Sequence, residues 1–247
     1  MIKPLLILGL LLKTCTVDLQ DLPDIHRSDI DNFNNTYHFN TNQEIEKQTI
    51  GDLKTQKFSL SNYGNDPIID ASFPLEIALF FYKNGSLVLL DNQMNILMEN
   101  NLYEANPMSV SHFGRSIEGM YWVFNQNTKT LQKISPNGKL ITQSNILPNI
   151  KSLGIQRIYD LGREIYIQNG TELIGFTPNL KYVNTEKNAY MVRSYKFPAK
   201  IVNGTLSFSF AKKTYNRSFG FDSIPIGISQ NNYVLQTQNG LILQKIR

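Results

Sequence analysis

Cysteine is nearly absent from this chain: its 247 residues hold one, Cys15. A single thiol excludes an internal disulfide and any cysteine-rich metal cluster. A folded domain must then be held together by buried apolar surface, for which about 220 residues suffice. Histidine is scarce as well. His26, His38 and His112 lie far apart in sequence, so a joint zinc site is not expected. Charged residues make up only 18% of the chain, which excludes a disordered tail or a coiled coil. The net charge is +4, yet the longest run of basic residues is the pair Lys212-Lys213. Without a basic stripe, nucleic acid is not an expected partner. The strings for a phosphate cradle, a hydrolase elbow, a zinc protease helix and an EF-hand loop are all missing, as is the sialidase-type Asp box. No cofactor, metal site or catalytic residue is therefore assigned.

The N-terminus has a secretory character. Lys3 precedes an apolar run over residues 5–12, which is far shorter than the roughly 20 residues a membrane-spanning helix needs. Such a run suits the centre of a signal peptide. Cys15 follows it directly, where a bacterial lipoprotein carries its acylated cysteine. Leu12 fits that pattern, whereas Lys13 and Thr14 stand where small residues are preferred. Two readings stay open, a lipid attached to Cys15 or a plain cleaved signal with an incidental cysteine. The expected organisation is a signal over residues 1–15, a linker over 16–23 and one domain over 24–247. The expected location is outside the cytoplasm: periplasm, outer membrane through a lipid anchor, or secreted.

What the chain does have is a repeated β-hairpin. Ile77-Ala78-Leu79-Phe80-Phe81-Tyr82, a turn at Asn84-Gly85-Ser86, and Leu87-Val88-Leu89-Leu90 form the clearest copy. Similar units centre on Asn42, Asn127, Asn169, Asn203 and Asn239. Asn-Gly favours a two-residue hairpin turn with positive φ at both central residues. The flanks are β-branched and aromatic, as half-buried strands require. A second turn follows in three units, at Asn92-Gln93-Met94-Asn95, Pro136-Asn137-Gly138-Lys139 and Pro178-Asn179-Leu180-Lys181. Each leads into a third strand. An edge-like fourth strand such as Gln156-Arg157-Ile158-Tyr159 then precedes the next unit. Four strands per unit of about 40 residues is the pattern of a β-propeller blade. The expectation is an all-β propeller of six blades, with five as the alternative because the last two intervals are shorter. Residues 25–30 are expected to close the ring by joining the last blade, whose open edge otherwise invites aggregation. A β-sandwich or an open solenoid would not repeat at this interval.

The strings Pro74-Leu75-Glu76-Ile77-Ala78-Leu79-Phe80-Phe81-Tyr82, Leu89-Leu90-Asp91-Asn92-Gln93-Met94-Asn95 and Tyr121-Trp122-Val123-Phe124 give the chain a likeness to known proteins. It resembles six-bladed propellers of the NHL type, and more closely the exported propeller proteins of Bacteroidetes-type bacteria, over most of residues 30–247. The resemblance implies a fold and an exported location. It brings no catalytic residues with it.

Function in such folds sits on loops carried by a rigid scaffold. The loops between blades are expected to hold Asp31, His112, Arg115, Glu118, Asp160, Arg163 and Gln230. His112 and Arg115 beside an acidic group are suited to binding an anion or moving a proton, and equally to a solvated loop. Asp31 and Asp160 occupy matching places before their hairpins, which favours turn capping. Trp122 and the aromatic residues of the first strands are expected to fill the core between blades. Asn84, Asn169, Asn203 and Asn216 lie in glycosylation sequons, and three of these coincide with hairpin turns. The leading function is a monomeric, non-catalytic scaffold that binds an envelope protein or carbohydrate and touches membrane only through a lipid. The alternative is a lactonase-like hydrolase with a metal in the central tunnel, which needs several oxygen ligands converging on the axis. A purely structural envelope component is the third.

Overall fold

The computed structural model describes residues 28–31, 33, 35–49, 54–105, 109–147, 150, 154–194 and 199–202, and the strand backbone within 205–245. The expected signal, Cys15, the linker, His26, Asn203, Gln230 and Asn239 lie outside the described residues.

The first sheet is an antiparallel meander of β1 (Ser28–Ile30), β2 (Asn35–Phe39), β3 (Glu44–Thr49) and β4 (Thr55–Ser59). The second repeats it with β5 (Ile68–Asp70), β6 (Ile77–Phe81), β7 (Ser86–Leu90) and β8 (Ile96–Asn101), followed by the short helix α1 (Leu102–Ala105). The third contains β9 (Val110–Arg115), β10 (Tyr121–Asn125), β11 (Thr130–Ile134) and β12 (Leu140–Gln143). The fourth contains β13 (Ile155–Asp160), β14 (Ile165–Asn169), β15 (Glu172–Phe176) and β16 (Tyr182–Lys187). The fifth sheet has seven strands. In it β17 (Ala189–Ser194), β18 (Ala199–Val202), β19 (Thr205–Phe210) and β20 (Lys213–Ser218) join β21 (Ser223–Ser229), β22 (Asn232–Thr237) and β23 (Gly240–Lys245). The joint is a parallel pairing of β17 with β21 at Arg193 and Ser194.

The protein is thus a β-propeller, and counted as sheets it has five blades, the lower of the two expected numbers. All six hairpins are present, but the last two share one sheet. The ring closes where β1 lies against β21. Residues 28–30 do this from within the first blade, where they pair with β2, and not by joining the last. The strand containing Gln156 and Arg157 also takes a different role from the one expected. It pairs with β14 and is mostly buried, so it opens the fourth blade from the inside and does not edge the third.

In the second and third blades the second strand is buried on both faces and the outermost strand is largely exposed, because blades pack against each other face to face. β6 and β10 are buried along their whole length, whereas β12 is exposed along its whole length. Phe80 of the second blade stacks on Phe113 of the third, and Phe113 meets Tyr121 at a tilt, with centroids 5.0 Å apart in each case. The turns repeat with the packing. In three hairpins the left-handed residue is the one after the asparagine, at Gln43, Gly85 and Gly170, and the asparagine itself has negative φ, whereas the Asn127 hairpin places Lys129 there. Gly85 is irreplaceable there. Its φ is +77°, and an added Cβ would stand 2.4 Å from the Tyr103 ring. The outer turns place Met94, Gly138 and Leu180 in the same left-handed position. Their first residues, Asp91, Ser135 and Thr177, each accept a bond from the backbone four residues on, at Asn95, Lys139 and Lys181.

One buried ion pair crosses the middle of the ring. Arg157 on β13 donates to Asp29 Oδ1 on β1 at 2.9 Å, to the Ser28 carbonyl at 2.8 Å and to the Ile69 carbonyl on β5 at 3.4 Å. The inner strands follow one another from β1 through β5 and β9 to β13, so this side chain bridges strands that are not neighbours. The side chains of Asp29 and Arg157 are 0% and 4% exposed. Removing one partner strands the other charge away from water, at a cost of about 3–5 kcal/mol. We expect Arg157→Met to lower the free energy of urea unfolding by that order. Adding Asp29→Asn should restore most of the loss, and equal losses in the single and double variants would refute a pairwise role.

Candidate functional site

Of the seven residues expected in loops between blades, Arg115, Glu118, Asp160 and Arg163 belong instead to one end of the ring, as does Asp31, and Gln230 lies outside the described residues. A meander returns its first and third strands to the same end, so the turn after the inner strand and the turn before the outer strand share a face in every blade. Arg115 and Asp160 are the last residues of β9 and β13, and Glu118 and Arg163 lie in the turns that follow. These turns lie within blades, and the connections between blades are at the opposite end. His112 sits inside β9, paired with Phe124, away from the others. The segment His112-Phe113-Gly114-Arg115 reads as a loop because a glycine and charges interrupt its apolar pattern. It is a strand nonetheless. A Cβ on Gly114 would lie 2.4 Å from the Ile158 carbonyl, so the glycine lets β9 approach β13 closely.

Most of these side chains are committed to structure. The Arg115 guanidinium donates to the Glu76 carbonyl at 2.7 Å, pairs with the Glu76 carboxylate and lies 4.4 Å from the Phe73 ring. Its backbone amide donates to Asp70 at 2.9 Å, which ties the third blade to the second. Asp160 accepts from the Gly162 amide at 2.7 Å and from Trp122 Nε1 at 2.8 Å, tying the fourth blade to the third. Lys133 makes its contacts within the third blade, paired with Glu118 and placed 5.2 Å over the Trp122 ring. Asp31 caps its turn by accepting from the amides of Phe33 and Asn35, at 2.8 and 3.0 Å, and takes the Tyr37 hydroxyl at 2.9 Å. Glu118 and Arg163 are exposed at this end, Glu118 as the partner of Lys133. Among the described residues, no three His, Cys, Asp or Glu side chains gather as a metal site.

A different pattern on this end escapes a search for polar motifs. Large exposed apolar residues recur at matching places: Phe33, Leu75 and Ile117 in the inner turns, and the pairs Ile96-Leu97, Leu140-Ile141 and Tyr182-Val183 at the start of the outer strands. Only Ile146, of the exposed large hydrophobics among the described residues, lies at the other end. Single exposed apolar residues are ordinary, but a repeated group rimmed by charge marks an interaction surface. Three outer turns announce their pair in the sequence, since the apolar dipeptide directly follows Asn95, Lys139 and Lys181.

No protein-family model matches the chain, and no curated protein matches it in sequence. Solved structures do resemble it in fold. A streptogramin B lyase superposes with a TM-score of 0.54 at 12% identity, over 92% of this chain and 85% of its own. YCF48 bound to a D1 peptide gives 0.51 at 13%, over 87% and 75%. A protein of unknown function from Bacteroides caccae gives 0.53 at 8%, over 83% and 86%. At these identities the likeness is one of fold alone.

The Asp31–Tyr37 contact makes a pH-dependent contribution. Burial, reinforced by the adjacent Asp31 carboxylate, holds the Tyr37 hydroxyl well above its usual value of 10.0. A group whose folded-state value is raised gives stability that is complete below the unfolded value and declines as pH rises above it. Between pH 9 and 11 the melting temperature should therefore fall less steeply for Tyr37→Phe than for the parent chain. Parallel slopes would show that Tyr37 does not titrate as this contact requires.

Proposed function

We propose that this chain is an exported, non-catalytic propeller that binds a protein partner at the cell envelope through the end carrying the repeated apolar residues. The observation that supports this is the placement of Phe33, Leu75 and Ile117 beside three exposed apolar pairs on one end of a rigid ring. Aromatic and aliphatic residues on a fixed scaffold need little ordering to bind, which favours association. The exposed Glu118 and Arg163 provide a polar rim. Export rests on the apolar run before Cys15, and a lipid on Cys15 would be the sole attachment to membrane. The propeller acts as a monomer, and its kinship is with the NHL-type exported propellers of Bacteroidetes-type bacteria. A fold neighbour that takes a peptide, YCF48 with its D1 peptide, is an example of such a ring at work.

The second reading, a metal-dependent hydrolase of the central tunnel, needs carboxylates available on the axis. Asp29 and Asp70 line the inner strands, but Asp29 holds Arg157 and the Ala71 amide, and Asp70 holds Ser72 and the Arg115 amide. Stoichiometric calcium in the purified protein would favour this reading over the first.

The test is recovery of a partner from envelope fractions by the tagged chain. Leu97→Asp combined with Ile141→Asp should abolish recovery of that partner and leave the melting temperature unchanged, since both side chains are already exposed. Retention of the same partner by this variant would sink the assignment of the face. Separately, Cys15→Ser should release the protein from the membrane fraction without affecting partner recovery, and an unchanged distribution would remove the lipid from the proposal.

A further inference from the structure

The acids of the apolar end are turned inward, and three of its cations are not. Asp31, Asp70, Asp91 and Asp160 each accept a backbone amide of the fold. Glu76 and Glu118 pair with Arg115 and Lys133, and Glu164 accepts the Tyr166 hydroxyl. Lys139, Arg163 and Lys181 are exposed, and among the described residues their side chains have no partner. All three belong to the third and fourth blades. Lys139 directly precedes Leu140-Ile141, and Lys181 directly precedes Tyr182-Val183. Two neighbouring outer strands thus open on the same order, one cation and then two exposed apolar residues. In the second blade Asn95 stands where the cation would be. Arg163 follows Gly162, where an added Cβ would lie 2.9 Å from Ile117 Cδ1. The exposed Ile117 of the third blade therefore rests against the turn that carries Arg163. Cations and apolar side chains are interleaved across the joint between these two blades.

We propose that the protein partner of this end presents an acidic segment to the third and fourth blades, with aliphatic or aromatic residues interspersed among its carboxylates. This partner chemistry rests on the proposed reading of the apolar end as a protein-binding face. The apolar residues supply burial, while the unpaired cations select by charge and speed the encounter, because complementary potentials steer association. Lysine and arginine stems cover apolar surface as their heads stay in water, so these three side chains serve from the rim without being desolvated. An anionic lipid surface carries the same charge, but β1 starts at the opposite end of the ring. A tether from Cys15 would draw that end, and not this one, toward the bilayer.

The probe is a random peptide library displayed on phage and selected against the full chain. Enriched peptides should combine Asp or Glu with Leu, Ile or Phe. Raising the salt concentration to about 0.5 M should weaken their binding at least tenfold, because exposed charges are screened. Combining Lys139→Glu, Arg163→Glu and Lys181→Glu should weaken it as much at low salt. The same variant should keep the parent's melting temperature, since no contact inside the fold is lost. Enrichment of uncharged or basic peptides that fail to bind the Leu97→Asp and Ile141→Asp variant would overturn the acidic partner and leave the apolar face standing. Peptides indifferent to that variant would overturn both. Selection of no peptide would also overturn the proposal, and capture of phosphatidylglycerol vesicles by the parent but not by the charge-reversed chain would then give the cations to lipid.

Discussion

The closed ring depends on charges that are denied water and must therefore find each other. Asp29 is sealed among β1, β5 and β13, where the Arg157 guanidinium and the Ala71 amide supply its hydrogen bonds. A carboxylate in that position without partners would be intolerable. The pair consequently fixes the first, second and fourth blades in one arrangement, a constraint no apolar contact imposes with the same selectivity. Buried ion pairs are seldom a source of net stability. Their value here is geometric.

Around this centre, smaller carboxylate contacts repeat the same device between neighbours. Asp70 receives the Arg115 amide and Asp160 receives Trp122 Nε1, so adjoining blades are stitched by directional bonds as well as by stacked rings. The scaffold spends its acidic groups on its own cohesion. That explains why residues with the look of chemistry, such as Arg115 and Asp160, are largely occupied, and why the large side chains left exposed beside them are apolar.

Much of the architecture was legible because hairpins are local. The asparagine turns at Asn42, Asn84 and Asn169 lie where strands reverse, and the outer turns ending in Asn95, Lys139 and Lys181 repeat in place. The phase of the blade was harder. β13 contains a polar Gln156-Arg157 step, which resembles an exposed edge, and only its pairing with β14 identifies it as an inner strand. The segment ending in Arg115 misled for a related reason, since Gly114 breaks the pattern of a strand while serving a close backbone approach. Asp29 and Arg157 are 128 positions apart, and no local signal links them. Nor does composition foretell that β17 and β21 join two hairpins into one sheet.

The closing contact between β1 and β21 also sets an order of events for the nascent chain. Blades can form one after another as they emerge, since each is a local meander, but the ring lacks its final neighbour until nearly the whole sequence is present. Until then the first blade keeps a naked flank and its Asp29 waits for a guanidinium yet to be synthesised. Pairings between distant parts of a chain form slowly and leave surfaces exposed to misassembly in the interim. A chain kept unfolded until translocation ends would meet all its strands at once and avoid that vulnerable half-built state.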